Sequence, residues 1–312
     1  MTESHAMSAL IENLKALAPT HGVFKLDVAD VTVIRSGRPT PVAPVVFRPS
    51  LYIVIQGAKQ AYLEQQVLDY GAFDYLLLTV PLAKRGRVSV ATKEEPYLAL
   101  RIDLNMGLIA ELIQQWGKQF PPAEQGHAGL AIFKVDDDIH NAIDRLVKAA
   151  RDPEQAKIIG PQQVREVLFH VLRGAAGPML YEFTQQDRHS FRIARALNYI
   201  QTNFNQNISV EHLADVASMS PSSFFHHFKT VTETSPQQFI KTLRLHEARR
   251  LLVEEQQTVG QAAFEVGYAS PSQFSREFKR LFGVSPRNAV APVGGFENSW
   301  RPLSQEVIKA AI

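Results

Sequence analysis

Ser272, Gln273, Ser275, Arg276 and Lys279 lie close together and combine hydroxyls, an amide, a guanidinium and an ammonium. Amide and guanidinium groups donate paired hydrogen bonds to the edges of planar bases, and an ammonium meets a phosphate as a point charge. At a uniform shift of 50 residues, Ser222, Phe225, His226 and Lys229 hold the corresponding positions of Ser272, Ser275, Arg276 and Lys279. Phe225 admits two readings, contact with a thymine methyl or an exposed apolar side chain with no partner. His226 and His227 are adjacent, so on one helix they face different ways and make a poor metal pair. His226 is expected on the base-reading face.

These residues sit in a unit that occurs twice. Ser-Pro-Ser-x-Phe-x-x-x-Phe-Lys runs from Ser220 to Lys229 and again from Ser270 to Lys279. Upstream, Ala214 falls on Ala263 at a shift of 49, so the second copy carries one extra residue in its turn. Each copy reads as two short helices. Thr258 with Gln261, and Ser270 with Gln273, have capping-box spacing. Pro221 and Pro271 stand at first helical positions, where a missing N–H costs nothing. Phe224 and Phe228, like Phe274 and Phe278, are four apart and share one face, which should pack on Leu213 and Ala214 or on Ala262 and Ala263. The opposite face then carries the polar set. Between the copies, Pro236 to Leu252 reads as one helix, with Phe239, Ile240, Leu243, Ala248, Leu251 and Leu252 on one side and Lys241, Arg244, Arg249 and Arg250 on the other.

Paired helix-turn-helix units joined by one helix, ending Phe-Lys-Arg-Leu-Phe-Gly-Val-Ser-Pro, resemble the DNA-binding domain of AraC/XylS-type transcription regulators. The resemblance covers roughly residues 191–290, including Val266-Gly267-Tyr268-Ala269-Ser270. It implies double-stranded DNA as partner, with the second helix of each unit entering successive major-groove segments about 34 Å apart. Ser272, Gln273, Ser275 and Arg276 match the family's base-contacting positions. The first unit departs from the pattern: an Arg is usual where His226 stands, and a polar residue where Phe225 stands. The resemblance further implies RNA polymerase as a partner and activation rather than repression.

Upstream, short β-rich runs separated by turn residues fill residues 23–103 and suggest a barrel or jelly roll. Arg48 to Lys59 and Pro96 to Asp103 resemble the cupin-like N-terminal domain of one AraC-type subgroup. A metal cupin needs clustered histidines and carboxylates, yet His21 is the only histidine between residues 20 and 105. A metal or other cofactor is therefore not expected, and neither is an enzyme. The barrel reads either as a pocket for a small effector or as a folded support for dimerisation. If a pocket exists, Tyr52, Val54 and Gln56 share one strand face, and Tyr75, Tyr97 and Arg101 are candidate polar contacts. Arg101 would hold an anionic effector, or simply face outward from its strand.

Helical texture returns after Leu104, with Leu108, Ile109, Leu112, Ile113 and Trp116 on one face. Stripes follow at Ile139, Ile143, Leu146, Val147 and Ala150, and at Val164, Val167, Leu168, Val171 and Leu172. By resemblance this pair carries a homodimer contact; packing on the barrel is the alternative. The expected fold is α+β: a cupin-like β-barrel with a helical dimerisation segment (1–173), a linker (174–187), an all-α domain with two helix-turn-helix units (188–290) and an irregular tail (291–312).

The 312 residues suit two domains, and 45% are hydrophobic, ample for ordinary cores. The absence of Cys excludes disulfides, thiolate metal sites and thiol-based sensing. No run suits a membrane span and no secretory signal is evident, so a cytoplasmic location is expected. Net charge is +2 overall. Residues 188–290 hold 12 Lys and Arg against 8 Asp and Glu, a net +4, whereas residues 1–187 hold 19 against 21, a net −2. That excess fits site-specific binding better than a sequence-blind polycation.

Overall fold

A computed structural model describes residues 2–63, 66–118, 120, 129–185 and 189–289. The expected tail at 291–312, the end of the expected linker at 186–187 and the terminal residues 188 and 290 of the expected helix-turn-helix domain lie outside the described residues. Helix α1 (Thr2–Leu17) precedes β1 (Gly22–Lys25), β2 (Val31–Ser36), β3 (Ala43–Phe47), β4 (Ser50–Gln56), β5 (Ala58–Tyr62), β6 (Val67–Gly71), β7 (Asp74–Leu78), β8 (Leu82–Val90) and β9 (Tyr97–Asp103). Then come α2 (Met106–Trp116), β10 (Leu130–Lys134), α3 (Asp137–Ala149), α4 (Pro153–Ile158), α5 (Gly160–Arg173) and α6 (Gly177–Thr184). The remainder is α7 (His189–Asn203), α8 (Val210–Val216), α9 (Pro221–Thr232), α10 (Pro236–Val253), α11 (Val259–Glu265) and α12 (Pro271–Phe282).

The strands do not close the expected barrel. Among the described residues they form two antiparallel sheets, one of six strands in the order β1-β2-β9-β4-β7-β10 and one of four in the order β3-β8-β5-β6. A barrel needs a ladder joining the edge strands; here the two sheets face each other instead, with Phe47 of β3 edge-on to Tyr52 of β4. Central strand β4 is buried on both faces from Ser50 to Ile55, which explains its unbroken apolar run. β3 was not legible as a strand, because Pro41 and Pro44 interrupt the pattern; it lies at a sheet edge, where proline is tolerated.

The stripes on α3 and α5 are fully used inside the protomer. Ile139, Ile143, Leu146 and Val147, and Val167, Leu168, Val171 and Leu172, are all at most 1% exposed. The two helices pack on each other, with α1 against α3 and α2, α4 and α6 against α5. A dimer contact in this region must therefore use the outward faces. The stretch read as a linker is not irregular either: α6 buries Met179, Leu180 and Phe183 and packs against α2, α5 and α7.

The C-terminal units match the expected pattern closely. Ser209, Ser220, Ser235, Thr258 and Ser270 each accept an N-terminal amide of α8 to α12 in turn. Thr258 and Gln261 complete a capping box. Ser270 and Gln273 do not, because the Gln273 amide turns to Glu277 instead. Phe224, Phe228, Phe274 and Phe278 are fully buried. Each turn leaves its first helix through a residue of positive φ, Ser218 at 53° and Gly267 at 87°. Met219 and Tyr268 then bond back to Ala214 and Ala263, both at 2.9 Å. Ala269 is the extra residue of the second turn.

Linking helix α10 is not split into an apolar and a solvated basic face. Leu245, His246, Glu247 and Ala248 are buried in succession, so this part of the helix is enclosed all round. Its cations are committed. Arg244 donates to Phe204 O (2.6 Å), Gln206 O (2.7 Å) and Gly267 O (3.1 Å). Arg249 lies over the Phe282 ring, Arg250 binds Glu247 and Glu255, and Lys241 pairs with Glu277 at 3.1 Å. Across the domains, Lys84 of β8 meets Glu233 at the end of α9 at 2.8 Å, and Gly129 N–H donates to Val231 O.

Gly267 is the residue this packing leaves least free. Its φ is +87°, and an added Cβ would stand 2.2 Å from Asn205 O. Gly267→Ala should destabilise the C-terminal region by about 2 kcal/mol or more, read by urea denaturation. Ser218→Gly, at the equivalent turn position of the first unit, should be tolerated.

Candidate nucleic-acid interface

Helix α9 presents Ser222, Phe225, His226 and Lys229, all exposed, on the side away from Phe224 and Phe228. Helix α12 presents Ser272, Gln273, Arg276 and Lys279, all exposed, with Ser275 half-buried beside them. The helical period is the reason: phenylalanines four apart share one buried face and turn the opposite side of the helix to solvent. Phe225 is 43% exposed, a large apolar side chain without a core role. His227 leaves this face. It is half-buried and stacks on His189 of α7 with centroids 3.9 Å apart. Burial, then His189 and His226, pushes it below the ordinary histidine range. Among the described residues no group of three or more His, Cys, Asp or Glu stands together as a metal site.

The second helix is held by a carboxylate that sequence reasoning passed over. Glu277 accepts from Tyr268 Oη at 2.8 Å and from Gln273 Nε2 at 3.3 Å, and it pairs with Lys241. One side chain thus ties α12 to the preceding turn, to α10 and to a candidate base-reading amide. Burial raises the Glu277 carboxyl, but bonds from Tyr268, Lys241 and Gln273 outweigh it and leave the group below its ordinary value. Its spacing from Gln273, four residues on one helix, was the available signal.

The candidates for an effector pocket divide. Tyr52, Tyr97 and Arg101 come together between the two sheets, since Tyr52 pairs with Arg101 across β4 and β9 and shares its face. Arg101 is therefore not outward-facing; it is 3% exposed, donates to Thr32 Oγ1 and forms an ion pair with Asp103. Gln56 follows a register shift after Val54 and donates instead to Pro96 O. Tyr75 does not join them. It lies on the other face of the six-stranded sheet, stacked on Phe133, and burial, then Asp136 at the start of α3, raises its phenol. Two unforeseen residues complete the cluster. Lys59, 3% exposed, lies over the rings of Phe47 and Tyr52 at 5.4 and 5.2 Å. Tyr70 faces it across β5 and β6. Both lie near a strand end beside a turn glycine, Gly57 or Gly71, where the sequence pattern is weakest.

With this geometry in view, comparison with known proteins is informative. Residues 27–179 match the AraC-type transcriptional regulator N-terminus, and residues 213–291 match a helix-turn-helix domain. The chain belongs to the AraC/XylS family of transcription regulators. The virulence regulon transcriptional activator VirF of Yersinia enterocolitica is 23% identical over 270 residues, 84% of this chain and 97% of VirF. The probable transcriptional regulator LumQ of Photobacterium leiognathi is 28% identical over 158 residues, 51% of this chain and 62% of LumQ. Crystallised ToxT from Vibrio cholerae, with unsaturated fatty acid bound, superposes with a TM-score of 0.55 at 12% identity, covering 82% of this chain and 92% of ToxT. That likeness concerns the fold. As a member of this family the chain is a transcription regulator with a DNA-binding helix-turn-helix region, and not an enzyme.

Glu277→Gln should cost about 1–2 kcal/mol in the packing of α12, read by hydrogen exchange of its amides. Because the folded carboxyl lies below 4.5, its contribution is present above that pH and is lost as pH falls through the folded value. The glutamine variant should lack this acid-dependent part.

Proposed function

We propose that the protein is a sequence-specific activator that binds double-stranded DNA in the cytoplasm as a homodimer under control of a small effector. Helices α9 and α12 enter successive major-groove segments. The observation that carries this reading is the pair of helices whose phenylalanine faces are buried while Ser, Gln, His, Arg and Lys side chains stand exposed. Arg276 and Gln273 read base edges, Ser222, Ser272 and Ser275 add hydroxyl contacts, and Lys229 and Lys279 hold phosphates. Phe225 contacts a thymine methyl, and His226 faces the same groove. RNA polymerase is the further partner that the family suggests.

Dimerisation through the helical segment has support in Ile158 and Ile159, 69% and 38% exposed where α4 passes into α5. Effector control has support in the polar cluster between the sheets and in the fatty acid bound by ToxT. The second reading, a sandwich that only supports dimerisation, is favoured by how completely that cluster is buried.

Selection from a random duplex pool tests the proposal. A long, two-part site should be enriched, and Arg276→Ala should cost roughly 1–3 kcal/mol with relaxed preference at one position. A uniform loss over all sequences would reassign Arg276 to phosphate. Lys279→Ala should weaken all sequences alike and lower the salt slope by about 0.9; an altered sequence preference would contradict its phosphate role.

A further inference from the structure

Where α12 places Arg276, α9 places His226, and two more imidazoles stand against it. His227 stacks on His189, the first residue of α7, with ring centroids 3.9 Å apart and planes 19° apart. His226 lies edge-on to His227 at 5.2 Å. The middle ring is half-buried; the outer two are exposed, His226 on the side that bears Ser222 and Phe225, and His189 at the start of α7. Histidine is the side chain whose charge ordinarily changes between about pH 5 and 8, whereas a guanidinium stays charged throughout. One unit therefore carries a fixed cation where the other carries a set of rings that gain charge in acid.

The surroundings of the rings decide how readily they take a proton. Helices α7 and α9 pack together, and neither contains an Asp or Glu. α9 adds Lys229, and α7 adds Arg195 and Arg192, whose guanidinium reaches Ser218 O in the turn. On the adjoining elements, Glu182 of α6 accepts from Ser190 Oγ, and Glu233 past the end of α9 pairs with Lys84 of β8. α8 carries Glu211, Asp215 and His212, the last set edge-on to Tyr199 of α7. α10 commits Lys241 to Glu277, Arg244 to backbone carbonyls and Glu247 to Arg250. The charges that act on His227 are those of His189 and His226, with no carboxylate among them; burial is the larger cause, and together they hold it below the ordinary histidine range. In the free protein an added proton thus meets cations and no counter-ion.

We propose that the first unit takes up protons as it binds DNA, with His226 and His189 becoming imidazoliums in the field of the phosphates, so that acid strengthens the first unit's hold and leaves the second unit's unchanged. The inference rests on the DNA-reading role proposed above for α9. A polyanion laid along α9 supplies the counter-charge that the two helices lack. By linkage, a ligand that favours the protonated form is bound more tightly where protons are abundant. His227 is the ring that stays neutral, and its stack keeps α7 against α9 while the outer rings charge. Because its folded value is depressed, the unfolded chain takes the proton first, so the stack loses stability as pH falls below the ordinary 6.5.

The test begins with selection of duplexes by the full chain at about pH 6 and about pH 8, followed by anisotropy titration of the selected duplex across that range at fixed ionic strength. The wild-type chain should bind at least about five-fold more tightly at the acid end. Calorimetry in buffers of unlike ionisation enthalpy should record net proton uptake. His226→Arg should give a nearly flat profile at high affinity, His226→Gln a nearly flat profile at low affinity, and His189→Gln a reduced uptake. Arg276→Ala should weaken binding and keep the full pH dependence. A pH-independent wild-type affinity, proton release on binding, or an undiminished dependence in His226→Gln would each overturn the inference and leave DNA reading by α9 in place. Loss of the dependence in Arg276→Ala, or a wild-type circular dichroism spectrum that changes across the range, would overturn it by assigning the effect to the second unit or to unfolding. Enrichment of no duplex at either pH would remove the DNA-reading proposal and this one with it.

Discussion

One guanidinium joins the two DNA-reading units. Arg244 projects from α10 and donates to Phe204 O and Gln206 O, just past the end of α7, and to Gly267 O in the turn of the second unit. Carbonyls beyond a helix end need partners, and a planar fork of five N–H groups can serve several at once. The bonds fix where the first unit's leading helix ends relative to the second unit's turn. They also explain why Gly267 must be a glycine: the turn is drawn so near Asn205 that no Cβ fits between. Two helix-turn-helix units keep a fixed separation only if something between them sets it, and α10 with Arg244 does so.

Around that joint the two copies are alike in their buried half and unlike in their exposed half. Phe224 and Phe228, like Phe274 and Phe278, pack at the same spacing, because each second helix lies on a short first helix that buries Leu213 and Ala214 in one copy and Ala262 and Ala263 in the other. The exposed positions are free of that constraint. The second unit carries Gln273 and Arg276 and anchors its helix through Glu277; the first carries Phe225 and His226, while His227 is drawn off to His189. The direction of a side chain, rather than its chemistry, separates His226 from its neighbour.

The N-terminal domain shows the opposite economy. Its sheets bury apolar residues on nearly every face, and one group of polar exceptions gathers between them. Lys59 comes from β5, Tyr70 from β6, Tyr52 from β4, and Tyr97 and Arg101 from β9. No two of these strands are joined in sequence except β4 to β5 to β6, and β9 reaches the cluster only through its pairing with β4. The domain also touches the DNA-reading region, through Lys84 with Glu233 at the end of α9 and Gly129 with Val231. A change inside the sandwich therefore has a physical route, through β8, to the end of α9.

The sequence by itself determined the C-terminal architecture, because its signals are local. Ser-Pro caps, phenylalanines four apart and a repeat near 50 residues act within one helix or one turn, and each is legible without knowing what lies across the core. The exposed faces of α9 and α12 followed from the same period. The strands were legible as a class, although β3 was hidden by its prolines. Tertiary structure decided what depends on partners distant in the chain: that among the described residues ten strands form two sheets and not a barrel, that Tyr75 turns away from Tyr52, and that Lys59 and Tyr70 are interior. It also decided that the cations of α10 are internal ties. A strand's face is fixed only by its register with another strand, and a helix's solvated side only by what packs around it, so neither can be read from one segment alone.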